Sequence, residues 1–165
     1  MKGCLILIRN SGIVSKLIRK LTHSEWNHVG IFENNNHIIE STFRNGVVRT
    51  KFINFLEEKK QGKIENFDIY KIKDITEDQK NIMVQFIIER IGHKYDFFQF
   101  ICLGLMLLVG LTRKIEPIDD TNKWLCSELI AEGAYQAGIK FHENIDPDNI
   151  TPGDIVSSKI TIKIE

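Results

Sequence analysis

A cysteine acts as a nucleophile only as its thiolate, and two common ways to bring its pKa below ~8.5 are the positive end of a helix dipole and a nearby imidazole. The chain offers three cysteines, Cys4, Cys102 and Cys126, and five histidines, His23, His28, His37, His93 and His142. Cys4 lies in a short apolar run with strand character and Cys102 in an apolar run with helix character, settings that raise a thiol pKa and bar substrate. Cys126 opens a helical pattern and alone meets the dipole condition, which makes it the candidate nucleophile.

The matching base should be a histidine on a stiff element, and only His28 and His37 fall at strand positions. His37 abuts a turn. His28 begins Val29-Gly30-Ile31-Phe32, where Gly30 leaves space on the same face, two residues on, for a substrate or a helix. A core histidine with a satisfied ring is the competing reading. Glu40 follows the apolar pair Ile38-Ile39, an odd place for a carboxylate unless it is paired, and it could orient His28. That pairing requires both side chains on one face of the hairpin. A three-residue loop, Glu33 to Asn35, pairs Phe32 with Asn36 and sets His28 opposite Glu40, whereas a two-residue Asn34-Asn35 loop separates them.

Around this trio, the Cys126 backbone N–H at the helix start is the natural oxyanion donor, and Tyr95 could add its hydroxyl. Tyr95-Asp96 also reads as a structural pair, with Asp96 capping a following helix. Trp124 could line the cleft, although an aromatic two residues before a helix is often core, and Glu128 could simply favour the helix dipole. No second histidine is placed to complete a metal site, so no metal and no cofactor are expected.

The elements that must hold these residues are short. Cys4 to Ile8 reads as a buried strand, followed by a helix with Ile13, Leu17, Ile18 and Leu21 at helical spacing and, on its other face, Lys16, Arg19 and Lys20, which could meet phosphate or lipid headgroups but should be a solvated face. His28 to Phe32 and His37 to Phe43 form a hairpin whose Asn-rich turn suits the left-handed conformation. Asn45-Gly46 marks another turn before Val47 to Thr50, Lys51 to Lys60 fits a short surface helix, and Phe67 to Lys71 adds a strand. Thr76 and Gln79 form a capping box for a helix stopped by Gly92. Cys126 to Ala137 is a helix closed by Gly138, with Ala131, Ala134 and Ala137 permitting close approach to a sheet. Thr151 to Asp154 reads as a turn, and Ile160 to Ile164 as a last strand. The fold class is α+β, a small antiparallel sheet or partial barrel packed by helices, in one domain spanning 1–165.

Balanced charge, with 22 Lys+Arg against 22 Asp+Glu, gives a net charge of +0 and no general attraction for nucleic acid or anionic lipid, so no nucleic-acid partner is expected. An odd cysteine count without CxxC argues against a disulfide scaffold and for a reducing compartment. The apolar run Gly3 to Ile8 is shorter than the roughly 7 to 15 residues of a signal-peptide core, which points to a cytoplasmic location. Phe97 to Leu111 is apolar apart from Gln99, but as a helix it would span roughly 22 Å, short of the ~30 Å hydrocarbon core. It reads as a buried helix, or as a surface contacting membrane or an acyl chain.

Four strings, Trp26-Asn27-His28-Val29-Gly30-Ile31, Ile39-Glu40-Ser41-Thr42, Gly92-His93-Lys94-Tyr95-Asp96 and Trp124-Leu125-Cys126-Ser127-Glu128-Leu129-Ile130, followed by Thr151-Pro152-Gly153-Asp154, together resemble the circularly permuted NlpC/P60 superfamily in its YiiX-like branch. The resemblance runs from Cys4 to about Asp154. It implies a permuted papain-like fold with the nucleophile helix near the C-terminus, and a triad of Cys126 as nucleophile, His28 as base and Glu40 as third member. The activity implied is that of a thiol amidase or peptidase on a small peptide-like substrate. Permuted relatives of the lecithin:retinol acyltransferase type make a lipid acyl hydrolase or acyltransferase the alternative, and a non-enzymatic binding module is the third reading, favoured by tight burial of all three residues. The Phe97 to Leu111 segment, and a tryptophan rather than a tyrosine two residues before the cysteine, depart from the family pattern.

Overall fold

The computed structural model describes residues 1–96 and 122–164. The Phe97 to Leu111 segment, with Cys102, and nearly all of the connector after it lie outside the described residues. The elements are β1 (Leu5–Asn10), α1 (Ile13–Leu21), β2 (His28–Phe32), β3 (His37–Thr42), β4 (Gly46–Lys51), α2 (Phe52–Lys60), β5 (Ile64–Ile72), α3 (Glu77–Ile88), β6 (Lys94–Tyr95), β7 (Lys123–Trp124), α4 (Cys126–Gln136), a 3₁₀ turn (Pro147–Asn149), α5 (Pro152–Ser157) and β8 (Thr161–Lys163). Six strands make an antiparallel sheet in the order β4-β3-β2-β1-β5-β8, and β6 and β7 form a short parallel pair. The fold is α+β, as the sequence predicts.

Alternation along the strands divides the apolar residues between two layers. Leu5, Leu7, Val29, Ile31 and Ile39 face Met83 and Ile87 of α3 and Leu129, Ile130 and Ala134 of α4 in the larger core. Ile6, Ile8, Phe32 and Ile38 face the other way, toward Phe52 and Phe55 of α2. The small residues of α4 serve a helix rather than the sheet alone: a Cβ on Gly133 would lie 3.0 Å from the Ile87 side chain of α3, so the two helices touch almost backbone to side chain. The capping box at Thr76 starts α3 as expected, and Gly138, with φ 73°, ends the α4 turn.

The β2–β3 loop differs from the expected one by a full pair. Asn34 to Asn36 form the loop: the Glu33 N–H donates to the His37 carbonyl at 3.0 Å, and Gly30, not His28, stands opposite Glu40. No asparagine there takes the left-handed conformation. Instead the Asn34 Oδ1 accepts from the backbone N–H of Asn36 at 2.9 Å and of His37 at 3.0 Å, closing the loop by side chain. A shift of two residues keeps the same faces, so His28 and Glu40 remain neighbours, now on the diagonal. Gly30 is needed by the protein itself rather than by a substrate, because a Cβ there would sit 2.8 Å from Ile38 Cγ2.

Two further expectations are corrected. Thr151 to Asp154 is a helix start rather than a turn: Asp154 N–H donates to Thr151 Oγ1 while the Asp154 carboxylate accepts from the Thr151 N–H, and α5 follows. On α1 Lys16 and Lys20 are solvated as expected, but Arg19 folds inward onto Glu65 at 3.0 Å, and Ile13, 88% exposed, faces solvent with Val14 and Leu17 beside half-buried Ile18 and Leu21. Among the described residues, no helix is long and apolar enough to cross a membrane.

Candidate active site

His28 is the first residue of β2, Glu40 projects from the middle of β3, and Cys126 is the first residue of α4, so three elements meet where the sheet ends. The serine after Glu40 helps to fix that meeting: the Ser41 hydroxyl donates to the Trp124 carbonyl at 2.7 Å, tying β3 to the strand that leads into α4. The Ser127 hydroxyl donates to the Ile150 carbonyl at 2.6 Å and anchors the first turn of α4 from the other side.

His28 Nε2 lies 2.7 Å from Glu40 Oε2, which leaves Nδ1 for its hydrogen bond with the Cys126 thiol. The second carboxylate oxygen of Glu40 accepts a hydrogen bond from the Thr50 hydroxyl at 2.7 Å, so Thr50 on β4 fixes the rotation of the carboxylate. Thr50 escaped the sequence reading because it is one of several polar alternations on β4; the register that sets it diagonally beside Glu40 became visible only with the sheet.

The electrostatics couple thiol and imidazole. Burial pushes the Cys126 thiol up, but the adjacent His28 charge and hydrogen bond, with the backbone N–H groups of Val29 and Ser127, bring it below the ordinary thiol value. Burial likewise disfavours a charged His28, yet Cys126 and then Glu40 raise it to about 10. Together these directions describe a thiolate–imidazolium pair near neutral pH. All three side chains are largely buried, but they line one cavity of about 670 Å³, with Asn27, Tyr95 and residues of α1 and α2.

Tyr95 lies at this cavity with its ring edge-on to Phe43 at 5.9 Å. Burial, followed by the nearby Cys126 and Asp96 charges, pushes its hydroxyl up, so it stays protonated. Trp124 does not line the cavity. Its Nε1–H donates to His93 Nδ1 at 3.1 Å and its ring stands edge-on to Phe86 at 6.0 Å, with the Arg90 guanidinium 5.1 Å away. Glu128 accepts from the Leu125 N–H at 2.8 Å, and burial raises its carboxyl to about 8, which makes it a neutral cap more than a dipole charge near pH 7.

Residues 1–102 match the family described as Peptidase C92, permuted papain-like amidase enzyme, YaeF/YiiX. The chain belongs to this family of cysteine-type, papain-like amidases and peptidases. The match takes in His28 and Glu40 and ends before Cys126. The crystal structure of metalloprotein yiiX from Escherichia coli O157:H7 superimposes with a TM-score of 0.72 at 15% identity, covering 100% of this chain and 96% of that one. That likeness extends the permuted papain-like fold over the whole chain, including α4. No curated protein sequence matches the chain.

Proposed function

We propose that the protein is a thiol amidase that cleaves an amide bond in a small peptide-like substrate through Cys126, His28 and Glu40. The observation that carries this reading is the relay Glu40–His28–Cys126 at the wall of a cavity, with the imidazole bonded at Nε2 to a carboxylate that is itself held by Thr50. The Cys126 thiolate attacks the carbonyl carbon, forming a C–S bond as the carbonyl electrons move onto oxygen. The Cys126 backbone N–H, first in α4, faces that developing charge; such a donor contributes about 2.7 to 4 kcal/mol in measured cases. Tyr95, kept protonated, is the second donor in this scheme.

The His28 imidazolium then gives its Nδ1 proton to the leaving amine as the C–N bond breaks; the neutral ring takes a proton from the water that attacks the acyl-enzyme, and the C–S bond breaks to release the carboxylic acid and restore the Cys126 thiolate. Glu40 holds the Nε2–H tautomer through both halves. Among the described residues, no group of three His, Cys, Asp or Glu is arranged to hold a metal ion, and no step here is routed through one. The test is intact-protein mass spectrometry after incubation with peptide amides and with activated acyl esters. An adduct of the acyl mass on wild type, absent from Cys126→Ala, supports the reading. Turnover surviving in Cys126→Ala rejects it.

A further inference from the structure

The unusual feature outside the triad is α1. Its sequence, IVSKLIRKL, places Ile13, Val14 and Leu17 on one side and Lys16 and Lys20 beside them, with no acidic residue in the helix. A surface helix ordinarily turns such an apolar side inward. Here the inward side is mixed: Ser15, Ile18, Leu21 and the capping Thr22 are half-buried, and Arg19 is bound to Glu65. Ile13, Val14 and Leu17 are left 88%, 61% and 53% exposed, and no residue of α1 is buried.

This side borders the active-site cavity. Val14, Ser15 and Ile18 line the same space as His28 and Cys126, which is also lined by exposed Arg44 at the β3–β4 turn and by Glu58 of α2. Exposed Lys16 and Lys20 thus flank an apolar ridge on a helix whose next residues line the cavity.

We propose that α1 seats the protein on an anionic lipid bilayer, with Ile13, Val14 and Leu17 in the interface and Lys16 and Lys20 against the headgroup phosphates. Charge decides between this occupant and a second copy of the chain. A symmetric pair joined through α1 would bring two sets of the same lysines into one seam with no carboxylate on either helix to meet them. An anionic surface supplies the missing charge. The arrangement would open the cleft toward the bilayer, while docking itself requires no step of the amidase reaction.

The experiment is vesicle flotation of the wild-type chain and of Cys126→Ala with phosphatidylcholine vesicles and with mixed phosphatidylcholine–phosphatidylserine vesicles. Both proteins should float with the mixed vesicles, less with phosphatidylcholine alone, and less as salt is raised. The double variant Ile13→Ser/Leu17→Ser should lose binding by roughly tenfold or more, and Lys16→Glu/Lys20→Glu should lose the preference for phosphatidylserine. Absence of wild-type flotation on either vesicle overturns the proposal, as does unchanged binding by the serine variant. So does a dimer, seen by sedimentation velocity and abolished by the serine substitutions, in a protein that ignores vesicles. Because Cys126→Ala is assayed beside wild type, a failure of docking and a failure of the amidase reading give separate results.

Discussion

Two carboxylates of this protein sit in polar clusters of almost equal bond length and act quite differently. Glu65 on β5 takes Arg9 at 2.6 Å and Arg19 at 3.0 Å; Glu40 on β3 takes His28 at 2.7 Å and Thr50 at 2.7 Å. Glu65 lies at the surface between two partners that are always charged, and Arg19, then Arg9, holds its carboxyl at about 2. Its cluster fastens α1 to the sheet and has nothing to transfer. Glu40 is nine-tenths buried, and its principal partner is a ring that can gain or lose a proton and touches a thiol. Distance describes both clusters; burial and the titratability of the partner distinguish them.

Substitutions separate the two clusters in a graded order. Cys126→Ala should abolish amide turnover, a loss of at least about 10⁴-fold, while leaving the thermal melt nearly unchanged, since a small buried side chain is replaced by a smaller one. Glu40→Gln should retain the fold and lose about 10²-fold in kcat/KM, because the neutral amide no longer favours the imidazolium. Thr50→Val should cost less activity, around tenfold, with a stability loss of about 1 to 3 kcal/mol from leaving a buried carboxylate oxygen unpartnered; kcat/KM and a urea melt on the same sample read both effects. Arg19→Ala should leave kcat/KM unchanged and lower the melting temperature slightly, by an amount that shrinks as salt is added. An activity loss in Arg19→Ala would mean that the surface cluster reaches the site after all.

The sequence made the site's membership legible and left its supports hidden. Cys126 at a helix start, a strand histidine and a carboxylate stranded after Ile38-Ile39 each violate the ordinary pattern of their element, which is why they could be picked out. Thr50, Ser41 and Ser127 break no local rule. Their importance comes from register and from carbonyls more than twenty residues away, as in the Ser41 bond to Trp124. The same limit explains the β2–β3 loop, where the Asn34 side chain closes Asn34 to Asn36 in place of either loop the sequence suggests, and Trp124, whose placement depends on His93 and Phe86. For α1, periodicity defined the helix and its two sides, but which side docks was decided by Glu65 on a strand that the sequence reading began only at Phe67.

The most direct test of the central claim is the pH dependence of Cys126 alkylation in wild type and in His28→Ala, with Cys4 as internal control. In wild type the reactive limb should begin below ~8.5, because the thiolate is stabilised by the imidazolium, and stay high at alkaline pH, since loss of the His28 proton leaves the thiolate in place. Removing the ring leaves burial unopposed by that charge, so in His28→Ala the limb should move upward past the ordinary thiol range. An ordinary, slow thiol in wild type that is indifferent to His28 would contradict the thiolate–imidazolium pair and the mechanism built on it.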